Sequence, residues 1–250
     1  MTGPDCLVIS QPMYFPWPGL LEQIRMCETF VHYSDVQFSK GSFTNRVQIK
    51  TAQGIRWLSV PLRRLGLGQR IDEVATDESV DWRRKHCDQL RQAYADAPFR
   101  IEMLNLVEKV FSDSYPSIAK LSIASTMALA RYFTLDCGRR FHDSSNLDVP
   151  GASTSRVVDI CRRLNANRYL TGHGARNYLD HARFESHGIG VFYAGYSLTP
   201  YPQQHGPFMP YVTALDLVAN CGKAGVSCIA GQPIPWRQFL ASAAASPGGE

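Results

Sequence analysis

Residues 6–27 read "CLVISQPMYFPWPGLLEQIRMC". The apolar run Cys6 to Ser10 is short, and it stops at a polar glutamine and a proline, as a buried strand does. Pro18 suits the first turn of a helix, and LLEQIRMC continues it. A second strand-like run, "TFVHYS", follows at residues 29–34. Strand, helix and strand at this spacing predict a right-handed crossover between parallel strands. The segment between the first strand and the helix is bulky and stiff. It carries Pro12, Pro16 and Pro18 together with Tyr14, Phe15 and Trp17. Prolines lower the entropy of ordering a loop, and parallel sheets bind ligands beyond the carboxyl ends of their strands. Gln11 is therefore expected to orient a ligand. Tyr14 and Phe15 either offer flat faces to a ring or lid the core.

The second strand opens into "DVQFSKGSFTNR", residues 35–46. If the two strands are neighbours, Asp35, Gln37, Lys40, Asn45 and Arg46 share a crevice with Gln11. Further on, residues 46–51 and 55–62 alternate around a Gln53-Gly54 turn, which predicts a hairpin. Residues 63–80 read as a loop with a short extended piece. Helical spacing recurs from Trp82 to Tyr94, through Ile101, Leu104, Val107 and Phe111, and from Ile118 to Tyr132. Residues 139–153 read as a polar connection. Then come a helix at Val157 to Leu164, a strand at Arg168 to Thr171, a helix at Tyr178 to Glu185, and a strand at Ile189 to Tyr196. A proline-rich loop covers residues 199–211, and Thr213-x-x-Asp216 starts another helix as a capping box. The expected fold is α/β: a Rossmann-like parallel sheet core with a helical insertion in the middle third. Residues 1–240 form one domain with a helical subdomain at about 81–135, and 241–250 form a disordered tail.

Two further segments carry chemistry. "YLTGHGARNYLD" (169–180) runs a strand into a glycine turn. Gly172 and Gly174 can present backbone N–H groups to an anion, His173 can act as a general base or donor, and Tyr178 adds a ring. In "PYPQQHGPFMPYVTALDLVANCG" (200–222), Gln203 and His205 sit in a proline-pinned loop.

Composition narrows the classes. The chain has 250 residues, 44% hydrophobic and 19% charged, with a net charge of +4. This suits a globular protein. No apolar run suits a membrane helix, and no signal peptide is visible, so a cytoplasmic, non-membrane protein is expected. The short basic clusters read as solvated surface, which gives nucleic acid little support. Seven cysteines form no C-x-x-C pair, which predicts reduced thiols and no zinc site. No G-x-S-x-G or H-E-x-x-H is present, and no metal site is expected.

These motifs resemble those of the WbqC-like family of bacterial polysaccharide-biosynthesis proteins. "QPMYFPWPGLLEQI" is similar to the family's Q-P-x-Y-x-P-x-x-G. "YSDVQFSKGSFTNRVQIK" is similar to its acidic–Val-Gln-Phe run with a lysine and an Asn-Arg pair, although Ser34 stands where an aspartate is common. "RWLSVPL", "YLTGHGARNYLD" and the 200–222 segment follow in the family's order. The resemblance implies an O-antigen or related setting and transfer of glycine, or a similar aminoacyl or acyl group, to the amine of an amino sugar. The implied partners are a nucleotide-linked amino sugar or other small amine, and an acyl or aminoacyl carrier. The cofactor is unknown. An ATP-dependent ligase using magnesium and a non-catalytic nucleotide-sugar-binding module are the alternatives. In the enzyme reading, Asp35, Lys40 and His173 would be catalytic. Gln11, Tyr14, Phe15, Gln37, Asn45, Arg46, Gly172, Gly174, Tyr178, Gln203 and His205 would hold substrate.

Overall fold

The computed structural model describes residues 5–245. Its elements in chain order are β1 (Cys6–Ser10), α1 (Pro18–Arg25), β2 (Thr29–His32), β3 (Arg46–Thr51), β4 (Gly54–Ser59), α2 (Trp82–Ala93), α3 (Arg100–Phe111), α4 (Ile118–Tyr132), β5 (Arg140–Asp143), α5 (Ser153–Arg163), β6 (Arg168–Thr171), α6 (His181–Glu185), β7 (Gly190–Gly195), α7 (Ala214–Cys221), β8 (Gln232–Pro235) and α8 (Trp236–Ala245). Six strands form one sheet in the order β5-β2-β1-β6-β7-β8, and β3 and β4 form a separate hairpin. All pairings in the large sheet are parallel except β7 with β8. The fold is α/β.

Alternation along the strands explains the layers. Val8, Phe30, Leu170 and Ala194 face one core, shared with α1, α2, α3, α4 and α7. Leu7, Ile9, Val31, Tyr169, Val191 and Tyr193 face the other, shared with α5, α6 and α8. A strand buried on both faces reads as a continuous apolar run, which is why β1 was legible. The chain builds outward from β1 to β2 and β5, then returns across the sheet to β6 and β7. The order therefore reverses between β1 and β6, where open α/β sheets leave a crevice.

The helical middle third is continuous with the first core. Trp82, Tyr94, Met103, Leu121 and Leu129 lie in the same buried cluster as Val8 and Phe30. The opening loop is clamped by these helices. The Tyr14 hydroxyl meets Nδ1 of His86 at 2.9 Å, and the Phe15 N–H donates to the Ser125 hydroxyl at 2.9 Å.

Four local expectations change. The hairpin turn expected at Gln53-Gly54 falls at Ala52-Gln53, because Thr51 pairs with Gly54, and the second strand ends at Ser59 rather than at residue 62. Residues 140–143, expected within a polar connection, form β5. This edge strand offers only Phe141 as a large apolar side chain, so it lacked a hydrophobic signature. The helix expected from Tyr178 begins only at His181, because residues 173–177 make a 3-10 turn first. The disorder expected from Ala241 gives way to helix through Ala245, and residues 246–250 lie outside the described residues. β8 is "QPIP", and its two prolines are tolerable because it is an edge strand. No helix of the described residues is long and apolar enough to cross a membrane.

Gly222 ends α7 with φ +56° and ψ −146°, a region that side chains avoid. A Cβ there would lie 2.7 Å from the Phe99 ring. Gly222→Ala is predicted to destabilise the fold by roughly 1–3 kcal/mol, read as a lower urea midpoint. An unchanged midpoint would contradict this account of the turn.

Candidate functional site

β1 and β2 pair in register, with Ser10 opposite His32, and the Tyr33 N–H donates to the Ser10 carbonyl at 2.8 Å. Gln11 and Asp35 therefore leave the sheet from the same edge. Gln11 is exposed there. Asp35 is held from two directions. The Ser144 hydroxyl donates to Oδ1 at 2.5 Å, and Arg156 Nη2 donates to Oδ2 at 2.5 Å. Ser144 directly follows β5, and Arg156 lies in the first turns of α5. The carboxylate thus joins the ends of β2 and β5 to the helix that crosses to β6.

The guanidinium is itself fixed. Its Nε donates to the Val149 carbonyl at 2.8 Å, and its Cζ lies 5.0 Å from the Tyr33 ring centre. Its side chain is 7% exposed, and that of Asp35 is 13% exposed. Burial would raise the Asp35 pKa, but the hydrogen bonds from Arg156 and Ser144 outweigh it and hold the carboxyl below its usual range. Asp35 is therefore ionised at neutral pH. A carboxylate so depressed is a weak base but a strong acceptor.

A second pair stands beside it. The Ser34 hydroxyl donates to Asp143, whose other oxygen meets Lys120 Nζ at 2.7 Å. The Ser34 N–H donates to the Ser144 hydroxyl at 3.1 Å. Next to it, His32 is buried, and burial lowers its pKa to about 4, so it is neutral.

Across the strand-order reversal, Tyr196 connects two motifs. Its ring lies 4.7 Å from Trp17 of the opening loop and 4.9 Å from His173 of the glycine turn. Its hydroxyl accepts from Gln23 at 2.6 Å. A Cβ on Gly172 would meet that hydroxyl at 3.1 Å, so the glycine allows close approach. His173 Nε2 lies 2.7 Å from the Ala194 carbonyl. It must donate there, which in a neutral ring leaves Nδ1 as the acceptor. Gly174 and Tyr178 are exposed beside it, and Tyr178 is near enough to Tyr33 to act on its ionisation.

The other expected residues go elsewhere. Tyr14 and Phe15 are 1% and 0% exposed inside the core, which leaves them no ring face for a ligand. Asn45 donates to the Val60 carbonyl at 3.0 Å, and Arg46 bonds the Gly41 carbonyl and covers the Trp57 ring at 4.3 Å, so both brace the hairpin. Gln203 bonds Lys50, Tyr201 and Met209, while His205 bonds the Ala93 carbonyl. These two hold the proline-rich loop to β3 and α2 rather than reaching the sheet edge. Gln37 and Lys40 extend past Asp35 on an exposed arm. Asp216, expected as a cap, is fully buried, and burial raises its pKa. Ser144, Arg156 and Tyr196 were missed, since each comes from a distant element with no local motif.

The pH dependence follows from these bonds. A depressed folded pKa gives stability that is present above the unfolded value and lost as pH falls through the folded one. Wild type is predicted to exceed Asp35→Asn in urea midpoint at pH 7, with the gap closing as pH drops below the ordinary aspartate range. A gap that stays constant through that range would contradict the ionised pair.

A family model for the WbqC-like protein family matches residues 11–228. An uncharacterized protein, Rv1507c, of Mycobacterium tuberculosis (strain H37Rv) is 30% identical over 219 residues, spanning 86% of this chain and 94% of that protein. No solved structure matches the chain significantly.

Proposed function

Because the chain belongs to the WbqC-like protein family, we propose that it forms an amide, transferring an aminoacyl or acyl group to the amine of an amino sugar or similar small molecule. The observation that carries this reading is the ionised Asp35 at the shared edge of β1, β2 and β5. Each of its oxygens accepts one protein hydrogen bond and keeps acceptor capacity. An amine approaching from the crevice is thereby oriented and favoured by charge.

The amine must lose a proton as it attacks an acyl carbon, and the carbonyl oxygen gains negative charge. Asp35 is too acidic to be a good proton acceptor, so its role in this reading is to position the amine. His173 Nδ1, left open by the Nε2 bond to Ala194, is the better candidate base. Gln11 would orient the substrate from the end of β1, and the exposed Tyr178 ring would pack against it. The acyl group arrives already activated, on a carrier or as another acyl donor. As the amide C–N bond forms, the acyl–donor bond breaks and the donor's sulfur or oxygen leaves, taking up the proton that the amine gave to His173. An ATP-dependent ligase differs only in making that donor in place.

Asp35→Asn is predicted to cut product formation at least about 100-fold while leaving amino-sugar affinity within about tenfold. Product would be followed by mass spectrometry of a nucleotide-linked amino sugar incubated with acyl donors. His173→Ala should lower the rate of product formation at least about tenfold while leaving amino-sugar affinity within about tenfold. Ligand binding without product in wild type, lost together with affinity in Asp35→Asn, would favour a binding module.

A further inference from the structure

Beyond Asp35 the chain leaves the sheet as a two-stranded arm. The Phe38 N–H donates to the Gln69 carbonyl at 2.9 Å, the Ile71 N–H to Val36 at 2.9 Å, and the Asp72 N–H to Ser34 at 3.0 Å. Residues 34–38 and 69–72 are thus tied antiparallel, starting from the site itself. Side chains lock the base. Arg70 pairs with Asp72 at 2.6 Å, and Gln69 bridges the Gly66 N–H at 3.0 Å and the Glu73 carbonyl at 2.9 Å.

Between the arm's two tips lies a cleft of about 410 Å³, lined by Gln37, Phe38, Lys40 and residues 65–69. No acidic residue lines it. The Lys40 ammonium has no hydrogen-bond or ion-pair partner among the described residues. The facing turn is Leu65-Gly66-Leu67-Gly68. Gly68 has φ +73°, and a Cβ there would meet nothing within 4 Å. Backbone shape rather than crowding therefore calls for glycine. Leu67 is 106% exposed, whereas Leu65 packs against the core, so the turn is anchored at its start and open to solvent at its tip. The N–H groups of Leu67 and Gly68 have no hydrogen-bond acceptor among the described residues. Successive free N–H groups in a glycine turn, opposite an unpaired lysine, suit an anion with several oxygens. Arg156, the buried cation that pairs with Asp35, is committed to that carboxylate.

We infer that this cleft binds the phosphate groups of a pyrophosphate-bearing ligand, with Lys40 as the counter-ion and the Leu67 and Gly68 N–H groups as donors. The inference rests on the amide-forming reading only in assigning those phosphates to a nucleotide-linked substrate. The geometry is consistent with that, because the arm begins at Ser34 and Asp35. The phosphates would sit in the arm while the amine lies at the sheet edge.

Isothermal titration of the full-length protein with inorganic pyrophosphate at low salt tests this. Wild type is expected to bind, Lys40→Gln to weaken binding about tenfold or more, and Lys40→Arg to stay within about threefold. Lys40 is exposed, so both variants should keep the wild-type melting temperature. Asp35→Asn should not weaken pyrophosphate binding. Displacement of pyrophosphate by UDP would identify a nucleotide sugar as the source, and displacement by ATP with magnesium a nucleoside triphosphate. Displacement by neither, equal affinity for wild type and Lys40→Gln, or no binding at millimolar pyrophosphate would overturn the inference. Pyrophosphate binding is read without turnover, so its failure leaves amide formation standing. Conversely, Lys40-dependent binding would survive a failure to detect any transfer product.

Discussion

Parallel pairing of β1 between β2 and β6 is the constraint from which the rest follows. β1 is buried on both faces, so its register with its neighbours is fixed by packing as well as by the ladder. With Ser10 opposite His32, and Val8 opposite Leu170, three chain segments must emerge side by side at one edge. Those segments carry Gln11, Tyr33 to Asp35, and Gly172 to His173. The prolines of the first segment then have a physical purpose. The loop must turn sharply off a buried strand and bury two aromatic rings before starting a helix, and a stiff chain loses less entropy in doing so.

Electrostatics separates the acids at this edge from those elsewhere. Asp35 and Asp143 are partly buried, each is held by a cation and a serine, and each has a pKa below the usual range. Glu22 accepts hydrogen bonds from Ser197 and Ala230 and ties α1 to the segments after β7 and α7. Asp216 is enclosed with Tyr94 and Tyr201, and burial raises its pKa. Glu22 and Asp216 therefore serve packing, while the sheet-edge carboxylates are ionised and near solvent. Breaking a buried pair by removing one partner leaves an uncompensated charge. Arg156 is thus a structural precondition for Asp35 whatever ligand the crevice takes.

Much of this was legible in the sequence because it is local. The apolar run of β1, Pro18 at the start of α1, the alternation of the hairpin (though its turn falls at Ala52-Gln53, one residue before the expected one) and the periodicity of α2 to α4 each announce themselves within a short window. Asp35 was legible because it lies just past a strand that pairs with β1. What was hidden depends on partners far along the chain. Tyr14 and Phe15 look like ligand platforms until His86 and Ser125, on α2 and α4, enclose them. Asn45 and Arg46 look like a polar cluster until Val60 and Trp57 claim them. Arg156 reads as an ordinary helical arginine, and nothing nearby in sequence marks it as the partner of Asp35. β5 has too few apolar residues to read as a strand, yet it supplies Asp143 and positions Ser144.

In the proposed function, the reacting amine would lie at the edge where β1, β2 and β5 end. A crystal structure with a bound nucleotide-linked amino sugar tests it most directly. The account predicts density for the sugar amine within hydrogen-bonding distance of the Asp35 carboxylate, with the Arg156 pair intact. Density for the whole ligand elsewhere, such as the surface pocket formed by Arg56, Gln89, Gln92 and His205, would contradict it.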